Sequence, residues 1–280
     1  MGYSDPLNAV VRRILPNLVI VSCPFSVLDK INVGARMALL KFGKDIIIWS
    51  PIKYDEAIFK EAVDELVGDE KDYNIAYIVV VNVKHNIAAS QYKLKYPEVQ
   101  IIAAKATKLN DDVDVDIKIG WENGNGKLLK SKELIELGIT RPSFTENLEV
   151  IYMCKHKNRE LVLFHPASKT LFLGDTLFAV GLPGTTNGEV ELEQYSEKAG
   201  IQKPFYPHSG WSFITRYLQP DSVVGRWMMN DLVQTKTEGS KNAIKTIDSL
   251  DFDRIIMCHG NVIEKNGKED FRKVFQGILN

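Results

Sequence analysis

A run of seven apolar residues, Ile75 to Val81 (IAYIVVV), sets the strongest constraint on what this chain can fold into. A strand with one wet face alternates apolar and polar side chains. An unbroken run of this length suits a strand buried on both faces. Such a strand needs cover on each side, and that requires several packed layers. Its neighbours supply them. Leu18 to Val21, Arg36 to Leu40 and Asp45 to Trp49 read as earlier strands, each bounded by Gly, Pro or charged residues. From Asp55 the period turns helical, with Ala57, Ile58, Ala62, Val63 and Leu66 on one face, Asp55 as N-cap and Gly68 as the stop. Ala88 to Tyr96 reads as a second helix ended by Pro97, and Val99 to Ala103 as a further strand.

The second half is β-rich again. Val150 to Cys154, Glu160 to Phe164 and Thr170 to Gly174 form consecutive antiparallel strands, with Ser168-Lys169 turning between the last two. Pro204 to Met229 is aromatic and irregular, which fits short helices passing over a site. A helix from Gly239 to Leu250, a strand from Ile255 to Cys258 and a helix from Lys268 to Leu279 close the chain. Strands and helices do not alternate regularly enough for a doubly wound sheet. Two β-rich halves with flanking helices predict an α/β (α+β) layered sandwich, helices outside and two sheets within, as one domain over 1–280. The acidic segment Asp111 to Asp116 reads as a solvated edge.

Charge narrows the function. Thirty-five basic and 36 acidic residues leave a net charge of -1, so no basic excess draws the chain to nucleic acid or an anionic membrane. The three cysteines, Cys23, Cys154 and Cys258, form no CxxC pair, which disfavours a disulfide framework and a zinc ribbon. The opening MGYSDPLNAVVRRIL lacks a signal-peptide pattern, and Pro6 breaks the myristoylation motif that Gly2 would begin. A cytoplasmic protein is expected, with the nucleus also open to it, acting on a small molecule. Oligomeric state is not written in the sequence.

Four of the five histidines, His85, His156, His165 and His259, fall at or near strand ends, and Asp175 ends the apolar strand Leu171-Phe172-Leu173 after Gly174. A carboxylate at the tip of a buried strand must be hydrogen-bonded, solvated or bound to a cation. Imidazole with carboxylate suits zinc, iron or manganese. His208 reads as a loop residue, and Cys154 and Cys258 as buried strand cysteines rather than nucleophiles. Trp227, Met228 and Met229, with Phe205, Tyr206, Trp211 and Phe213, are candidates to line an apolar pocket above the site.

The stretch His156 to Phe178 (HKNRELVLFHPASKTLFLGDTLF) resembles the third and fourth motifs of the metallo-β-lactamase superfamily, and Asp253 to Gly260 (DRIIMCHG) is similar to its last motif. The resemblance runs in order along essentially the whole chain and implies a four-layer αββα sandwich. It places metal ligands at His85, His156, Asp175 and His259, with Asp175 bridging. The signature HxHxDH motif is eroded. Aligned on the turn after the buried run, Val80 stands at its first histidine, Asn82 at the second, Lys84 at the aspartate and His85 at the last. Trp49-Ser50-Pro51 occupies the turn where the family carries an early aspartate. The pattern is closest to a degenerate branch, the DUF4336-like proteins.

These departures leave one metal position short of ligands and keep His85, Asp175 and His259 for the other. The resemblance therefore implies at most one zinc or other divalent ion, and possible catalytic roles for Asp175, His156 and Lys84. Two readings stand. One is a single-metal hydrolase of a small ester, thioester or phosphoester, with His156 positioning a water or binding directly and Lys84 stabilising an anion. The other is a metal-free pseudoenzyme that binds or scaffolds, in which Lys84 pairs with Asp175.

Overall fold

The computed structural model describes residues 2–279. Two large sheets lie face to face. The first has seven strands, in spatial order Ile117–Ile119, Gln100–Ala104, Asn74–Val79, Asp45–Trp49, Ala35–Phe42, Leu18–Cys23 and Val10–Leu15. Its first four strands run parallel and the rest pair antiparallel. The second has five, in order Leu128–Leu129, Glu149–Met153, Glu160–His165, Thr170–Leu173 and Arg254–Met257, antiparallel except for the last pair. A small three-stranded sheet of Gly2–Tyr3, Phe25–Val27 and Ile31–Asn32 stands beside them.

Period-two alternation sorts the side chains into layers. Leu18, Ile20, Ile47 and Trp49 face the core between the sheets, where they meet Val150, Leu161, Phe172 and Ile256. The intervening Val19, Val21, Ile46 and Ile48 face outward onto the helices Glu56–Val67 and Ala89–Lys95, through Phe59, Val63, Leu66 and Tyr92. On the far side, Val162, Leu171 and Ile255 meet Met229, Ile244 and Phe271 from the helices Val223–Val233, Glu238–Ser249 and Gly267–Leu279. The order is helix, sheet, sheet, helix. This is the αββα sandwich expected above.

Most expected elements appear within two residues of their predicted bounds. Asp55 caps its helix by accepting from the backbone N–H groups of Ala57 and Ile58. Several elements escaped the sequence reading, among them the small sheet, the edge strands Ile117–Ile119 and Leu128–Leu129 and the short helices Ser131–Glu136 and Pro142–Thr145. Val10–Leu15 pairs as an edge strand, and the short helices expected over Pro204 to Met229 include a regular three-turn one, Val223–Val233, that runs on past Met229. Exposed Val223, Val224 and Trp227 blur that helix's amphipathic pattern. Among the described residues, no helix is long and apolar enough to cross a membrane.

Candidate metal centre

The strands that carry the chemistry end along one edge of the sandwich. Thr170–Leu173 and Arg254–Met257 run parallel with Leu173 opposite Met257, so Asp175 and His259 each stand two residues past the same register pair. His85 reaches them from the turn that follows Asn74–Val79 in the other sheet. Two glycines permit this convergence. A Cβ at Gly174 would lie 2.8 Å from Val81 and 2.9 Å from Glu160, and one at Gly260 (φ +88) would overlap the Ala179 carbonyl.

The result is a compact set of donors. His85, Asp175 and His259 present ligand atoms that all lie within 4.8 Å of one another. Nε2 of His85 is 3.3 Å, and Nε2 of His259 3.2 Å, from Oδ1 of Asp175. Four-coordinate zinc with bonds near 2.0–2.1 Å spaces its ligands about 3.3 Å apart. The residues fit one such ion. His259 is further prepared for it. Its Nδ1 lies 2.7 Å from the carbonyl oxygen of Gly34; a carbonyl only accepts, so Nδ1 carries the proton and Nε2 keeps its lone pair toward Asp175. Phe178 stacks on the ring at 5.5 Å.

The other oxygen of Asp175 is already taken. Oδ2 accepts from Nδ2 of Asn82 at 2.8 Å and from Nδ2 of Asn158 at 2.7 Å. The Asn82 amide cannot be turned round, because its Oδ1 accepts from the backbone N–H groups of Lys84 and His85. Two N–H donors therefore occupy the space beside Oδ2, and a primary amide nitrogen offers a metal no lone pair. The residues do not fit a second ion.

Beneath this lies a fully buried carboxylate. Glu160 accepts from the backbone N–H groups of Gly174 at 2.8 Å and Asp175 at 2.6 Å, which fixes the backbone that aims Asp175. Burial alone would push Asp175 toward its neutral form, but His85 and His259 hold its carboxyl well below the usual range. Burial opposes charge on His85; Cys258 and Asp175 outweigh it and raise its pKa well above the ordinary value.

Two expectations need correction. His156, placed among the ligands by resemblance, lies outside the donor set. Its buried ring has Nδ1 accepting from the backbone N–H of Asn158 and Nε2 3.8 Å from Glu160. Asn158, two residues on, is what reaches Asp175. Lys84 does not fill a vacated metal position either. Its side chain is exposed, and among the described residues it forms no ion pair with Asp175. His165, where no ligand is expected, bonds Ser168 on the hairpin, and His208 lies buried between Thr185 and Thr215. Ser50, in the turn that lacks the early aspartate, adopts φ +52 and contacts the thiol of Cys258.

Sequence reasoning missed Asn158, Glu160 and Gly34. Glu160 carried a usable signal, as a carboxylate opening an otherwise apolar strand. Asn158 and the Gly34 carbonyl carried none.

A cavity of about 590 Å³ opens on the donor set. Trp227 and Met228 line it as expected, together with Leu218. The other candidates do not: Phe205 stacks on Tyr195, while Tyr206, Trp211 and Phe213 are exposed and Met229 is buried in the core. Phe25, Val27 and Val33, on and beside the small sheet, line it as well.

No family model and no curated protein sequence matches the chain. Solved structures do. The metallo-β-lactamase DIM-1, in a crystal exposed to ceftazidime, superposes with a TM-score of 0.54 at 13% identity, over 96% of this chain and 97% of that one. The metallo-β-lactamase FIM-1 from Pseudomonas aeruginosa, in a mono-zinc form, gives 0.51 at 13% identity, over 98% and 96%. A metallo-β-lactamase from Pontibacter korlensis gives 0.54 at 10% identity, over 97% and 99%. At these identities the likeness is one of architecture, and it spans both chains nearly end to end. The chain has the metallo-β-lactamase fold.

Proposed function

We propose that the protein is a hydrolase of a small ester, thioester or phosphoester that works with one divalent ion, zinc or a similar metal, held by His85, Asp175 and His259. The observation that carries this reading is the 3.2 and 3.3 Å spacing of the three donors at the mouth of a cavity. Three protein ligands with one position left for water or substrate are the usual arrangement of catalytic zinc. The ion would supply an activated water at neutral pH and polarise the bond to be broken.

The chain's own residues prepare that chemistry. The Gly34 carbonyl sets the His259 tautomer. Asn82 and Asn158 hold the Asp175 carboxylate with Oδ1 turned to the two histidines. Glu160 fixes the backbone beneath it. His156 holds the turn that carries Asn158, its Nδ1 accepting from the Asn158 backbone N–H. Lys84, exposed at the cavity, is left to act on substrate.

A second reading, a catalytically silent binding protein, is favoured by the two amides on Oδ2, which remove the two-metal clamp. Elemental analysis of protein purified without chelator or metal-binding tag, followed by assay against nitrophenyl ester, thioester and phosphoester panels, separates them. One equivalent of metal and turnover lost in His259→Ala support the hydrolase. Metal without turnover, or no metal after zinc addition, supports the binding protein.

A further inference from the structure

We infer that the cavity takes an amphipathic acyl compound, an apolar body of medium length with one anionic group, and that Lys84 binds the anion. This names the substrate class of the hydrolytic site proposed above and rests on that reading for its catalytic meaning.

The apolar part follows from the walls. Phe25, Val27, Val33, Ile52, Phe178 and Met228 face a volume of about 590 Å³, within the ~300–1,000 Å³ range of small-molecule sites. A small polar substrate would leave most of that surface wet. An apolar chain or ring covers it and gains from removing it from water.

The anionic part follows from charge accounting around the same cavity. Besides the donor set, three charged side chains line it: Arg36, Lys84 and Asp231. Arg36 is committed, donating to Ser22 Oγ, to the Met257 carbonyl and to Glu193. Asp231 pairs with Lys157 at 2.5 Å. Among the described residues, the Lys84 ammonium has no carboxylate partner, and it stands one residue from His85. Apart from the two histidines, which face Asp175, it is the cation that a ligand in this cavity can reach. An ammonium on a flexible stem is a compact point charge that takes a carboxylate, sulfonate or phosphate without demanding bidentate geometry. Asp175 does not compete with such an anion for the Lys84 ammonium, since its own charge is bound to two histidines and two amides.

The test is an equilibrium titration of the chelator-treated full chain, followed through tryptophan fluorescence, with Trp227 at the cavity as reporter. Decanoate, decan-1-ol and butyrate are the probes. Decanoate should saturate at one per chain, bind at least tenfold tighter than butyrate, and bind about fivefold or more tighter than decanol. Lys84→Gln, an exposed substitution, should bring decanoate down to the decanol value and leave decanol unchanged. Val33→Trp should exclude both ten-carbon probes, with circular dichroism confirming the fold. Met228→Trp fills the same cavity from another lining position if Val33→Trp fails to fold.

Decanoate no tighter than butyrate, or binding at many sites without saturation, would overturn the apolar part. An unchanged decanoate affinity in Lys84→Gln would overturn the anionic part. Because the protein is metal-free and occupancy is read directly, this test is independent of the hydrolase reading. Decanoate binding with no zinc binding removes the hydrolase alone. Zinc binding without decanoate binding removes this substrate class alone.

Discussion

Asn82 donates a 2.8 Å hydrogen bond to Oδ2 of Asp175, the one carboxylate oxygen that does not face the two histidines. With Asn158 on the same oxygen at 2.7 Å, a pair of neutral amides stands where a second cation would need ligands. The carboxylate stays ionised and oriented, but its bridging capacity is spent.

Metal capacity follows directly. Zinc titration of the wild-type protein is expected to saturate at one equivalent, with His85→Ala and His259→Ala each abolishing tight binding. His156→Ala should still bind one equivalent, because that ring lies outside the donor set, while losing about 1–3 kcal/mol of stability as a buried residue is truncated. Zinc held only by the folded state should stabilise it by about 2.7 kcal/mol at a hundredfold excess over the dissociation constant, read as a rise in Tm. A second equivalent, or loss of the ion in His156→Ala, would contradict this arrangement.

Lys84 is exposed and unpaired with Asp175, so its charge bears weakly on the ion. Zinc affinity in Lys84→Gln is expected to stay within about threefold of wild type, as for exposed charge interactions generally. A large gain, measured by competition with a chromophoric chelator, would mean that the ammonium does compete for the carboxylate.

Glu160 acts on the site through Asp175. Glu160→Gln sets an amide N–H against one of the backbone N–H groups of Gly174 and Asp175 and leaves a buried donor unsatisfied, at a cost of about 1–3 kcal/mol. Zinc affinity should fall about 10–100-fold, as for other residues that orient ligands. Urea midpoints and zinc titrations measure the two effects separately. A stability loss with unchanged zinc affinity would show that Glu160 supports the fold but does not aim Asp175.

The histidines away from the centre give the protein an acid sensitivity. Burial lowers the pKa of His165, and burial together with Arg216 lowers that of His208. A histidine whose folded pKa is depressed contributes stability that is complete above its unfolded value of about 6.5 and is lost as pH falls through the folded value. Urea midpoints should therefore drop below pH 6.5, and His208→Gln should flatten part of that slope. An identical slope in the variant would show that His208 is not held neutral.

Thiol reactivity should follow burial. Cys23 is fully buried and its thiol is pushed up to about 12, and Cys258 is buried against Ser50. Cys154 is part-exposed. Iodoacetamide at pH 8 is expected to label Cys154 in the native protein and to reach Cys23 and Cys258 only after unfolding, as read by peptide mass spectrometry.

The layers of this fold were legible in the chain because they are set by local periodicity. Alternation at Leu18–Cys23 and Asp45–Trp49 divides side chains between two cores, and Asp55 and Gly68 bound a helix by hydrogen bonds within a few residues. Position at the tips of apolar strands marked His85, His156, His165, His259 and Asp175 alike, and only the resemblance to the metallo-β-lactamase motifs singled out His85, Asp175 and His259. The actual partners of these three were not legible. Asn82 and Asp175 are 93 residues apart, and His259 and Gly34 are 225 apart. No local pattern marks which of two amides faces a carboxylate, or which carbonyl fixes an imidazole. The sequence pattern therefore determined the layers and a short list of strand-end residues, and the motif resemblance picked the donors from that list. Tertiary structure decided that one ion fits, that His156 stands aside for Asn158, and that Lys84 lies exposed at the cavity and not against Asp175, because each depends on where separate strand ends converge.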